Sequence, residues 1–122
     1  MTSRRGRLIE EGARELLQLN GYSVQIIPHV FDQRYPPAHI IATHANGEIL
    51  YIRIRKIAHW GSSVDILEMH FSHDIEKFRK FISRHPEMTN LHCQIWFYSL
   101  TYGFFRFDIL KDEIREVGIY AR

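Results

Sequence analysis

His39-Ile40-Ile41-Ala42-Thr43-His44-Ala45, the dipeptide Asn46-Gly47, and then Ile49-Leu50-Tyr51-Ile52-Arg53-Ile54-Arg55-Lys56-Ile57 form the passage that decides the fold. Asn-Gly between two β-rich runs is a strong hairpin signal, because both residues tolerate the positive φ of a tight turn. The passage predicts strands over 39–45 and 49–57. Residues alternate across a strand, so Arg53 and Arg55 project together on one side of the second of these strands.

Working outward, Ile9, Ala13, Leu16 and Leu17 recur at helical spacing behind Ser3, a candidate N-cap. Asn20-Gly21 closes that helix. Residues 22–28 read as a strand with Tyr22, Val24 and Ile26 on one face. Residues 29–38, with Asp32, Tyr35 and Pro36-Pro37, read as an irregular connection. Downstream, 58–71 carries no clear period: Trp60-Gly61-Ser62-Ser63 looks like a loop, and Ile66-Leu67 extends a strand or begins a turn. Ser72 reads as the cap of a second helix, with Asp74 and Glu76 in its first turn favouring the dipole. Ile75, Phe78 and Ile82 are its expected buried stripe, and Pro86 marks its end. Residues 91–98 and 104–110 read as strands around Thr101-Tyr102-Gly103, and 111–117 as a short terminal helix.

That order is helix, three strands, helix, two strands. An antiparallel meander followed by a helical crossover gives an α/β sandwich, a mixed sheet of about five strands flanked by helices. The 122 residues form one domain, 1–122, with no internal repeat and no linker.

Composition narrows the function classes. A 45% apolar and 13% aromatic content belongs to a folded chain, and a formal charge of +2 announces no broad nucleic-acid surface. The single cysteine, Cys93, cannot form an internal disulfide and reads as a small buried hydrophobe. No apolar run approaches the roughly 20 residues that span a bilayer, and the Ser/Arg-rich start does not read as a secretory signal. A cytoplasmic protein without membrane contact is expected.

At motif level, residues 6–57 resemble the PD-(D/E)XK superfamily, the restriction-endonuclease-like fold, and most of all its archaeal Holliday-junction-resolvase and Mrr-like branches. Glu10 lies eleven residues before Gly21-Tyr22, the spacing that group shows. His39-Ile40-Ile41-Ala42 stands where Asp-Ile-Ile-Ala would be, and Arg53-Ile54-Arg55 stands where Glu-x-Lys would be. The resemblance implies a nuclease-like domain associated with DNA. Its family motif positions are Glu10, His39, Arg53 and Arg55.

The catalytic letters have changed. In that superfamily Asp and Glu hold Mg²⁺, and the Lys orients or activates the attacking water. Here His for Asp adds one positive charge, Arg for Glu adds two and Arg for Lys none, so the site is three charges more positive. A hard dication needs oxygen ligands, and an arginine stays protonated and cannot act as a base. The expectation is a non-catalytic nucleic-acid-associated or protein-interaction module with no metal and no cofactor. Two readings of the old site stay open. Glu10 or Glu11 neutralises Arg53 or Arg55 in a structural ion-pair cluster, or His39, Arg53 and Arg55 hold a phosphate or carboxylate. The alternative function is a divergent Mg²⁺-dependent structure-specific endodeoxyribonuclease with migrated acids, for which Glu48, Asp32, Asp65 and Glu68 are the candidates.

Other features read more plainly. Among the eight histidines, His70 and His73 are spaced i, i+3 beside Asp74, but a zinc site wants three or four ligands. They read as capping or surface residues, and His39 as a hydrogen-bonded core histidine before a ligand. Arg4, Arg5 and Arg7 read as a solvated basic terminus or, in the functional reading, an arm that touches phosphates. Lys77, Arg79, Lys80 and Arg84 read as a wet helix face. The dense aromatics Trp96, Phe97, Tyr98, Tyr102, Phe104, Phe105 and Phe107 read as core, and next as a homodimer seam if an outward set is exposed together.

Overall fold

The computed structural model describes residues 4–27, 38–56 and 64–120, with the backbone alone for 4–7. Helix α1 (Arg4–Leu19) leads into strands β1 (Tyr22–Ile26), β2 (Ile40–His44) and β3 (Ile49–Lys56). Helices α2 (Val64–His70) and α3 (Ser72–Arg84) follow, then β4 (Leu91–Ser99), β5 (Gly103–Ile109) and β6 (Ile114–Tyr120). The six strands form one sheet in chain order, antiparallel throughout except for the parallel β3–β4 pair. That exception follows from the α2–α3 connection, which crosses the sheet and brings the chain back in the direction of β3. The mixed α/β sandwich and the three-strand meander match the sequence reading.

Each face of the sheet is covered. On one, Ile9, Ala13 and Leu17 of α1 pack on Ile40, Ala42, Leu50, Ile52, Trp96 and Phe104. On the other, Leu67, Ile75, Phe78 and Phe81 pack on Cys93, Ile95, Phe97, Phe107 and Ile109. Strand alternation sends Leu50 and Ile52 to the α1 side and leaves Tyr51, Arg53 and Arg55 facing α2 and α3. Arg79 pins α3 down by donating from Nε to the Leu110 carbonyl at 3.0 Å, so it is not part of a wet face. The aromatic run fills both cores, and of its seven rings Tyr102 is the one with a large exposure, 61%. Cys93 is buried, and burial, with Asp108 adding to it, pushes its thiol up to about 12.

Local signals account for the turns. Asn20 donates from Nδ2 to the Leu16 carbonyl at 2.7 Å, and Gly21 at φ 91° lets the chain reverse out of α1. In the β2–β3 turn Gly47 has φ 96°, and the Glu48 amide donates to Asn46 Oδ1 at 2.9 Å.

Five expectations are corrected. Residues 111–117 do not form a terminal helix; the chain makes a sixth strand there, because Ile114 to Tyr120 completes the edge beside β5. Within 58–71 lies helix α2, seated by the buried Leu67. Ser72 is the first residue of α3, and Phe71 occupies the N-cap without a side-chain hydrogen bond. Phe81 is buried with Ile75 and Phe78, while Ile82 is only half-buried. Because α1 begins at Arg4, the basic cluster Arg4, Arg5 and Arg7 belongs to its first turns and is no separate arm. The Ser3 cap, the connection containing Asp32, and the Trp60–Ser63 loop lie outside the described residues. Among the described residues, no helix is long and apolar enough to cross a membrane.

A Cβ at position 21 would stand 2.8 Å from His44 Nε2, on a backbone already at positive φ. Gly21→Ala is therefore expected to lose about 1–2 kcal/mol, read as a lower urea midpoint with an unchanged slope.

Candidate functional site

His39, Arg53 and Arg55 meet where β2 and β3 part company. The His39 amide donates to the Ile52 carbonyl at 2.8 Å, the last backbone link between that residue and β3. Two residues further along β3, the Ile54 amide donates at 3.0 Å to His39 Nδ1. The ring thus supplies the acceptor that a strand carbonyl would otherwise provide. Its Nδ1 lone pair is committed there, so the proton of the neutral ring sits on Nε2. The sequence reading of a hydrogen-bonded core histidine holds for the hydrogen bond, while the side chain is half-buried and not in the core.

Arg53 and Arg55 turn to the opposite side from α1 and meet a carboxylate carried by α3. Arg55 donates from Nε to Asp74 Oδ2 at 2.7 Å and from an Nη to Asp74 Oδ1 at 2.8 Å, a two-point grip. Arg53 Nε lies 3.0 Å from Asp74 Oδ1. Arg53 and Asp74 are 8% and 5% exposed and Arg55 is 33% exposed, so the cluster runs from the interior to the surface. The trio keeps one net positive charge, on its solvent side.

Burial alone would raise the Asp74 pKa. The Arg55 hydrogen bonds, then the charges of Arg55 and Arg53, outweigh it and hold the carboxyl below its ordinary 3.8. Two guanidinium groups overcome desolvation.

The ion-pair cluster is present, but its acid is Asp74. Glu11 is exposed and paired with Arg14 at 3.4 Å, and Glu10 is buried on α1, the helix of the other face. Asp74 was legible in principle. It stands four residues before Phe78 and seven before Phe81, on the stripe α3 buries, where an acid needs a partner.

The acids considered as migrated ligands lie elsewhere. Glu48 accepts a hydrogen bond from the Tyr22 hydroxyl and sits 3.6 Å from His92 Nε2, at the turn end of the hairpin. Asp65 and Glu68 are exposed on α2, as are His70 and His73 near them, and Asp32 is outside the described residues. The donor set around Arg53 does not suit Mg²⁺. Both Asp74 oxygens already face guanidinium groups, and the imidazole has given Nδ1 to a backbone amide. What the arrangement can do is present the partly exposed Arg55 to an anion while Asp74 fixes its orientation.

No protein-family model matches the chain, and no curated protein matches it in sequence.

Replacing Asp74 by Asn leaves two arginines facing each other and is expected to cost about 3–5 kcal/mol. The folded pKa lies below the unfolded one, so the carboxylate's contribution is complete above about pH 4 and drains away as pH falls through the folded value. Urea unfolding from neutral pH downward should therefore show the stability gap between wild type and Asp74→Asn narrowing below about pH 4.

Proposed function

We propose that this chain is a restriction-endonuclease-like domain that has given up cleavage and retains a nucleic-acid-associated role, gripping phosphate through Arg55 and its neighbours. The observation that carries this reading is the Asp74 carboxylate lodged between Arg53 and Arg55, at the positions the resemblance assigns to metal ligand and lysine. The element order, a helix followed by an antiparallel three-strand meander, a helical crossover and a strand parallel to the third, supports the kinship with PD-(D/E)XK nucleases.

The placement of charge supports the phosphate grip. Leu8 of α1 and Lys56 at the end of β3 border one groove. The start of α1, with Arg4, Arg5 and Arg7, therefore lies at the same end of the sheet as Arg55, on the opposite face. A buried ion trio is also a costly way to attach a helix, since apolar replacements are often neutral or more stable by about 1–4 kcal/mol. Holding a guanidinium in a set orientation at the surface gives the trio a purpose that packing alone does not.

A second reading draws on the same carboxylate. An acid delivered to Arg53 and Arg55 from another element is what a migrated ligand looks like, and a divergent Mg²⁺-dependent endodeoxyribonuclease would use Asp74 after releasing it from the arginines.

Incubation with branched DNA in Mg²⁺ or Mn²⁺ separates the two. The expected result is binding without cleavage, with affinity falling steeply in salt. Arg55→Gln should lower the slope of log affinity against log salt by about one. Cleavage that Asp74→Asn abolishes in a folded variant would establish the enzyme instead. Absence of binding at low salt would remove the nucleic-acid role and leave a protein-partner scaffold.

A further inference from the structure

Helix α1 carries two apolar stripes, and the sheet buries only one of them. The second runs through Leu8, Gly12 and Leu19 and borders a groove of about 730 Å³ between α1 and the ends of β3 to β5. Leu8 and Leu19 are 65% and 83% exposed, and Leu100, across the groove, is 78% exposed. Large leucines on the rim, not only in the floor, distinguish this place from a small-molecule pocket. A ligand filling the groove would leave them in water, whereas a macromolecular surface would cover them.

Gly12 says what kind of surface. A mid-helix glycine costs about 1 kcal/mol relative to alanine, and this one is not forced by the chain's own packing. Among the described residues nothing lies within 4 Å of an added Cβ. Its bare backbone permits another backbone to approach closely, as in a tight helix crossing.

Charge says whose surface. The groove carries one acid, Glu15, and one base, Lys56, both exposed and neither in an ion pair among the described residues. A patch with an apolar centre and one unpaired charge of each sign is complementary to itself under a two-fold axis.

We propose that this groove is the contact of a symmetric homodimer, with α1 of one copy crossing α1 of the other at Gly12. Glu15 then faces Lys56 of the partner subunit, and Leu8, Leu19 and Leu100 close over the crossing. The contact goes beyond the phosphate grip and does not rest on it, since Arg55 lies on the other face of the sheet.

Analytical ultracentrifugation of the full chain, from about 1 to 500 µM, tests the dimer. The mass should rise toward twice that of the chain. Leu19→Glu and Gly12→Gln should each weaken association at least about tenfold, with helix content unchanged by circular dichroism, since both sites face the open groove. Glu15→Lys and Lys56→Glu should each weaken the dimer, and the double exchange should restore it. A chain that stays monomeric throughout overturns the proposal. So does a dimer indifferent to these substitutions, which would use another surface, or a double exchange that fails to rescue. An apolar small molecule retained in the groove in native mass spectra would overturn it in favour of a ligand site.

Discussion

Two guanidinium groups on one strand, facing the positive end of a helix, repel each other and the helix unless an acid stands among them. Asp74 meets all three demands from one position. It lies in the first turn of α3, where the helix dipole favours negative charge, and its two oxygens face Arg53 and Arg55. The attachment of α3 to β3 is therefore electrostatic at this end and apolar further along, where Ile75, Phe78 and Phe81 enter the second core. The parallel β3–β4 pair depends on that attachment, because the α2–α3 connection sets the direction in which β4 enters the sheet.

The same trio explains why β3 breaks the pattern of a strand buried on both faces. Its α1 side is conventional, with Leu50 and Ile52 buried in the core and Ile54 packed against it. Its other side passes from Tyr51, packed on Phe81 at a ring separation of 5.0 Å, to the nearly buried Arg53 and then to the part-exposed Arg55. Polarity thus increases steadily toward the end of the strand. His39 belongs to the same gradient: it ends the β2–β3 ladder with a ring nitrogen, so the Ile54 amide at the fork keeps an acceptor.

Much of this architecture was legible because its signals are local. Asn46-Gly47 announced the hairpin, Asn20-Gly21 ended α1, and the spacing of Ile9, Ala13 and Leu17 marked the face that α1 buries. What escaped reading depends on distant partners. Residues 114–120 mix charge with apolar side chains because β6 is an edge strand with one neighbour, and charge on an edge imitates a solvated helix. Helix α2 is seven residues long with one fully buried side chain, too short to show a period over Val64-Asp65-Ile66-Leu67. Asp74 was overlooked because an acid in a helix's first turn already has a sufficient local explanation. The convergence of His39, Arg53 and Arg55 followed from strand alternation; the acid that answers them came from a different element.

Cys93 lies in β4 with Tyr51 of β3 on one side and Ile109 of β5 on the other, at the seam where parallel pairing meets antiparallel. Being the chain's one thiol, and shielded with its proton tightly held, it should ignore alkylating reagents while the sheet is closed. Its labelling rate then becomes a clock on how often the middle of the sheet opens, timed without any introduced probe.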